Sequence, residues 1–236
     1  MASPSEPVPD PLAEALRENH ELMQHFLYAA SHDLQEPLRG IITYAQLLDR
    51  QLAGDPAAHE YTSFILDGAL RMRELLQQFL VYSRAGSPKQ RKVVNLNVPL
   101  QMALLKLSSE IRSSNAHVER DHLPNAIGDE TELAQVFEHI LSNSLKFRSA
   151  AAPEIVVSAE QGIAECTITL RDNGLGIDPP FCEQVFLPFK RLHGKSIPGS
   201  GLGLAICSKI VRAHKGRIWA ESDGRTGTTV RFTLPT

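Results

Sequence analysis

Ser31-His32-Asp33-Leu34-Gln35-Glu36-Pro37-Leu38-Arg39 sets a histidine and an acid side by side in a segment of helical periodicity. Around it, Leu27, Ala30, Leu34, Leu38, Ile41, Ala45, Leu48 and Leu52 recur at gaps of three or four, the pattern of one buried helical face. His32 precedes Leu34 by two residues, which turns it about 200° round the helix, onto the outer face. Pro37 cannot donate a hydrogen bond to the carbonyl of Asp33, so a bend is expected close to the histidine.

Working outward, the spacing predicts one long helix from about Leu12 to Leu52, broken at Gly54-Asp55-Pro56. A second helix then turns Tyr61, Ile65, Ala69, Met72, Leu76, Phe79 and Tyr82 inward and ends at Gly86-Ser87-Pro88. Two helices cannot enclose a core. Phe26, Tyr28 and Tyr44 also lie off the main stripe, so a second copy of the hairpin is expected to complete a dimeric four-helix bundle. The alternative is packing against the rest of the same chain. Prolines at 4, 7, 9 and 11 make the start of the chain a tail or linker.

Beyond Pro88 the pattern changes. A short strand at Val93–Leu96 precedes helices over about 98–113 and 130–148. Strands follow at 155–159 and 164–170, then a Gly/Pro-rich stretch over 172–203 and a helix over 204–213. Strands at 216–221 and 228–234 are expected to pair through Asp223–Gly227. The expected class is α+β, helices layered on a mixed sheet. The expected divisions are a tail at 1–18, a hairpin domain at 19–88 and a second domain at 89–236.

Composition narrows the field. The chain has 236 residues, 42% hydrophobic and 22% charged, ordinary values for a globular protein. A net charge of -3 gives no electrostatic reason to expect nucleic acid. No apolar run approaches the ~20 residues that span a bilayer, and no basic-then-apolar leader opens the chain. Cys166, Cys182 and Cys207 lack metal-ligand spacing and read as reduced thiols, which fits a cytoplasmic protein.

Four stretches of the second half carry chemistry. In Gln135–Phe147, His139, Asn143 and Lys146 fall on one helical face. The Asn143 amide suits Mg²⁺, and Lys146 suits phosphate, although a solvated helix face offers the same polar stripe. Asp172-Asn173-Gly174-Leu175-Gly176-Ile177 places an acid, able to accept from an exocyclic amine, before glycines that permit close approach. Phe186–His193 mixes aromatic anchors with Lys190 and Arg191 and leads to Lys195, a loop suited to closing as a lid. Gly199-Ser200-Gly201-Leu202-Gly203-Leu204 opens a helix, where backbone N–H groups favour an anion. Two look-alikes fail. Gly194-Lys195-Ser196 lacks the P-loop glycine, with Phe189 in its place. The G-x-G-x-G run of the fourth stretch is not in a βαβ unit.

In order, these pieces resemble the sensor histidine kinases of two-component signalling. Ser31–Arg39 resembles the H box, Gln135–Phe147 the N box, and Asp172–Ile177, Phe186–Leu192 and Gly199–Leu204 the G1, F and G2 boxes. Gly216–Ser222 and Gly227–Thr229 fit the tail of the same pattern. His-Asp-Leu-Gln-Glu-Pro-Leu and Arg-Leu-His-Gly are most similar to the phytochrome-type branch. The resemblance implies a dimerisation and phosphotransfer bundle followed by a Bergerat-type ATP-binding domain. It implies that His32 attacks the γ-phosphate of Mg-ATP, with Asp33 on the other ring nitrogen, and that the phosphoryl group passes to an aspartate of a response regulator.

It further implies that Asn143 holds Mg²⁺, that Asp172 reads adenine with Thr229 nearby, and that Gly174, Gly176, Gly199, Gly201 and Gly203 shape the pocket. Lys146, Lys190, Arg191 and Lys195 become phosphate contacts, and an upstream sensor outside this chain becomes the source of input. Two positions depart from the pattern. His139 stands where the N box has asparagine, and Glu36 stands where phosphatase-competent members carry Thr or Asn, which implies weak phosphatase activity. Other readings of the same pieces are a nucleotide-binding scaffold without phosphotransfer and a clamp-type ATPase of the gyrase and chaperone superfamily.

Overall fold

The computed structural model describes residue 29 and residues 33–87, 91–192, 197 and 199–236. The chain divides into two compact units, Met1–Arg84 and Ala85–Thr236. His32 and Lys195 lie outside the described residues, as do the whole tail at 1–18 and, except for residue 29, the residues before 33 in the expected first helix.

The first unit is a helical hairpin. α1 covers 33–51, running through Pro37, and α2 is Pro56–Arg84. Asp55 starts α2 by accepting hydrogen bonds from the N–H groups of Ala57 and Ala58 at 3.0 and 3.3 Å. Proline at the first helical position loses no bond there. The turn is also tied side chain to side chain: Asp49 accepts from Thr62 Oγ1 and sits 2.7 Å from His59 Nδ1. The Asp49 carboxyl is held below its ordinary pKa, first by the Thr62 hydroxyl and then by His59.

The packed face takes part of the expected stripe. Leu38, Ile42 and Ala69 form the buried cluster, with Leu66 and Leu76 against it, and Ala45 and Thr62 are buried too. Leu34, Ile41 and Leu48 are exposed on α1 and Leu52 just after it, as are Tyr61, Ile65 and Met72 on α2. Leu38, Ala45, Ala69 and Leu76 belong to the expected stripe, and Ile42 and Leu66, one position after Ile41 and Ile65, join them, so each helix carries apolar residues in two adjoining rows. A single chain leaves the other row in water.

The second unit is a helical layer on a five-stranded mixed sheet, the expected class. In chain order it contains β1 (Lys92–Asn95), α3 (Asn97–Lys106), α4 (Ser108–Ser113), β2 (His117–Arg120), β3 (Asn125–Gly128), α5 (Glu130–Lys146), β4 (Glu154–Gln161), β5 (Glu165–Asp172), α6 (Gly203–Ala213), β6 (Ile218–Glu221) and β7 (Thr229–Pro235). The sheet order is β2-β4-β5-β7-β6, parallel only between β2 and β4, and β1 pairs with β3 in a separate ribbon. The expected hairpin of the last two strands is present. The single helix expected over 98–113 is two, divided at Leu107. β2 and β3 were not expected.

Period-two alternation turns Ile155 and Val157, Cys166, Ile168 and Leu170, and Val230, Phe232 and Leu234 into the core. Phe137 of α5 meets Phe232 of β7 edge to face, centroids 5.7 Å apart. Burying each ring contributes about 1.5–3 kcal/mol. α5 presents its inner face through Leu133, Val136, Phe137, Ile140, Leu141 and Ser144, so its flanking face carries His139, Asn143 and Lys146.

Candidate functional site

The start of α5 is fixed by a buried polar knot. Asp129 is the N-cap, its carboxylate accepting from the N–H of Glu132 at 2.8 Å. The N–H of Asp129 donates to His214 Nε2 at 3.0 Å, so Nδ1 carries the proton and donates to the carbonyl of Ile210 at 2.8 Å. Glu132 is itself buried and accepts from the N–H of Gly86 at 3.1 Å. Acids in the first turn and Lys146 in the last match the helix dipole. α5 therefore holds its functional face in a fixed rotation.

At the far end of α5, β5 delivers Asp172 beside the helix. Its Oδ1 accepts from the N–H groups of Gly174 at 2.9 Å and Thr228 at 3.1 Å. Its Oδ2 accepts from Ser144 Oγ at 2.9 Å. The turn after it is tight. A Cβ on Gly174 would stand 2.5 Å from the carbonyl oxygen of Phe147, which receives the N–H of Leu175. Gly176 has φ +79, and a Cβ there would lie 2.7 Å from the backbone nitrogen of Arg225. Gly227 approaches from β7's leading loop so closely that a Cβ would sit 1.9 Å from the carbonyl oxygen of Asp172.

His139, on the flank of α5, has its ring covered on the side of Gly203. Its ring borders Gly203, where a Cβ would lie 3.4 Å from Nδ1, and its Nε2 is buried without a hydrogen-bond partner. Burial pushes its pKa down to about 4, so the ring is neutral at neutral pH. Asn143, one turn on, is half-buried, and Lys146 is exposed. Lys146 also lines a cavity of about 670 Å³ with Lys106, Glu110, Glu138, Ser142 and Ile197; Lys106 and Glu138 pair there at 2.7 Å.

The glycine run begins α6 at Gly203. Gly201 has φ +73, and its carbonyl receives the N–H of Phe189 at 2.9 Å, closing the base of the intervening loop. Phe189 itself adopts φ +62, a strained value for a bulky residue. Lys190 Nζ stands 5.5 Å above the Phe181 ring, and Arg191 donates to the carbonyl of Ile197 at 2.7 Å. A Cβ at Gly199 would meet nothing within 4 Å. Thr229 pairs with Arg171 in the sheet register.

The structure thus gathers Asp172, Gly174 and Gly176 around one turn, and His139 and Gly203 at another contact. Ser144 and Thr228, which reasoning from sequence missed, hold the carboxylate. Ser144 follows Asn143 and is spaced like a core residue of α5, a weak signal for a polar role. Thr228 acts through its backbone, which sequence does not display. A hard cation that keeps phosphate and water ligands needs few protein donors, and the half-buried Asn143 amide is of the right chemistry.

Residues 22–88 match the His Kinase A (phospho-acceptor) domain, and residues 128–236 match the histidine kinase-, DNA gyrase B- and HSP90-like ATPase domain. The chain is 38% identical over 228 residues to cyanobacterial phytochrome A of Nostoc sp.. That alignment covers 95% of this chain and 30% of the relative, so the chain spans under a third of the curated relative it matches. Among solved structures, ShkA in complex with AMPPNP aligns with TM-score 0.68 at 21% identity, over 89% of this chain and 45% of that one. Histidine kinase ThkA in complex with response regulator protein TrrA aligns with TM-score 0.65 at 19% identity, over 98% and 68%. These two likenesses are of fold. Among the described residues, no helix is long and apolar enough to cross a membrane.

Proposed function

Because this chain belongs to the sensor histidine kinase family, we propose that it phosphorylates itself on His32 from ATP and passes the phosphoryl group to an aspartate of a response regulator. The observation that carries this reading is the pairing, in one chain, of a phospho-acceptor domain that includes His32 with an ATPase domain that includes the Asp172 turn. The working division is a tail at 1–18, the hairpin domain at 19–88 and the catalytic domain at 89–236. The exposed apolar rows of α1 and α2 support a homodimeric four-helix bundle. The phytochrome-type likeness supports an input domain upstream and a cytoplasmic location.

In this reading the free side of Asp172 takes the exocyclic amine of adenine, with Thr229 beside the base. Gly174 and Gly176 let the chain run close to it. Gly199, Gly201 and Gly203 leave backbone N–H groups open to the phosphates, and Lys146, Lys190, Arg191 and Lys195 supply positive charge. His139 offers a neutral imidazole to a phosphate oxygen or water. The Asn143 amide, together with the substrate's phosphates, would hold Mg²⁺, which would supply neutralisation of charge at the leaving group. A neutral ring nitrogen of His32 forms a bond to the γ-phosphorus as the bond to ADP breaks and ADP leaves with the electron pair. Asp33 steadies the other ring nitrogen as the ring becomes cationic. Glu36 offers no hydroxyl or amide to a hydrolytic water, which predicts weak phosphatase activity.

The test is incubation with γ-labelled ATP and Mg²⁺. Acid-labile, base-stable label that disappears in His32→Gln is the expected result. Steady ATP hydrolysis without label, unchanged by His32→Gln, refutes the reading.

A further inference from the structure

We propose that Ser144 is a positioning and specificity residue, whose hydroxyl limits Asp172 to a single open acceptor position and so selects adenine over guanine. The inference rests on the reading of Asp172 as the base contact.

A carboxylate offers about four lone-pair positions. Two on Oδ1 are taken by the N–H groups of Gly174 and Thr228, at 2.9 and 3.1 Å. One on Oδ2 is taken by Ser144 Oγ at 2.9 Å. Ser144 has one hydroxyl proton, and the carbonyl of Ile140 lies farther off at 3.3 Å. The proton goes to the carboxylate, the stronger and nearer acceptor. Ser144 is buried, as is Gly227, whose missing Cβ lets the backbone press against Asp172. The carboxylate can neither rotate nor shed these donors without leaving buried polar groups unpaired.

One position on Oδ2 remains. A single exocyclic amine, as on adenine, satisfies it. Guanine presents two adjacent donors, the ring N–H and the exocyclic amine, which pair best with both oxygens of one carboxylate. Here Oδ1 is already full, so guanine would bury a donor without a partner. Removing the Ser144 hydroxyl reopens a second position on Oδ2 and lets the group turn.

The experiment uses the full chain with Mg²⁺ and measures dissociation constants for ATP and GTP by calorimetry. Ser144→Ala is expected to weaken ATP about tenfold, the lower end of the effect of losing one hydrogen bond to a charged group. GTP binding is expected to hold or tighten, so the ATP-to-GTP preference falls by at least that factor. Alanine is the better helix former, so α5 is kept. Ser144→Thr retains the hydroxyl and is expected to retain the wild-type preference, which a packing effect alone would not produce.

An equal loss for both nucleotides in Ser144→Ala, or no loss for either, overturns the proposal. So does a preference in Ser144→Thr that falls as far as in the alanine variant. Asp172→Asn separates the two levels. If it leaves ATP affinity unchanged, the base-contact reading itself is wrong. If it abolishes binding while Ser144→Ala matches wild type, only the role of Ser144 is wrong.

Discussion

His139 makes the second unit sensitive to acid in a way that can be isolated. Its ordinary pKa is 6.5, and burial brings it down to about 4 in the folded chain. Above pH 6.5 the ring is neutral in both states and its ionisation contributes nothing to the pH dependence. Below that value the unfolded chain takes up a proton that the folded chain refuses, so stability falls with pH. Each unit of pKa difference is worth about 1.4 kcal/mol. Across the interval from 6.5 to about 4, the loss reaches about 3 kcal/mol. His214 acts in the same direction, since its pKa is also lowered by burial.

The perturbation is His139→Asn, which removes one titrating group and leaves His214 in place. The assay is urea unfolding of wild type and variant across the window. The stability of the variant minus that of wild type should rise as the pH drops, by at most about 1.4 kcal/mol per pH unit, and level off near pH 4. Parallel stability profiles for the two proteins would show that the ring is not kept neutral by the fold, and the reasoning from burial would fail.

Three further substitutions test packing within the two units. Gly227→Ala would drive a Cβ into the carbonyl of Asp172 at a residue with φ +103; a loss of about 2–4 kcal/mol in thermal unfolding is expected, with weaker ATP binding alongside. Gly86→Ala, with φ +69 and a Cβ 2.8 Å from that of Ala213, should cost about 1–3 kcal/mol in urea unfolding by displacing the bond to Glu132. Thr62→Val removes the hydroxyl shared with Asp49 and should lower the stability of the hairpin by about 1–2 kcal/mol, read by circular dichroism on heating.

The elements legible in the sequence were those with strong local signals. α5 and α6 announce themselves through apolar periodicity, β4, β5 and β7 through alternation, and the hairpin turn through Gly54-Asp55-Pro56. The inner face of the hairpin was legible in Leu38, Ala45 and Ala69, but the inward turn of Ile42 in place of Ile41 was not, because neighbouring apolar residues can serve either of two adjoining rows. β2 holds one apolar residue, Val118, in His117–Arg120, and becomes a strand because β4 offers it a parallel edge. No local propensity conveys that. The acid and glycines of the turn at Asp172 were legible because their chemistry is in their side chains or lack of them. Its support was not: Ser144 stands 28 positions away in sequence and Thr228 56 away.

The uncovered rows of the hairpin have a thermodynamic consequence. Leu34, Ile41, Leu48, Leu52, Tyr61, Ile65 and Met72 all meet water in a lone copy. If association buries them, folding and self-assembly of α1 and α2 become a single equilibrium governed by mass action. The melting temperature of the hairpin should then climb with protein concentration, and dilution alone should loosen it. The cell's expression level would thereby become one of the variables that set how much of the chain is assembled.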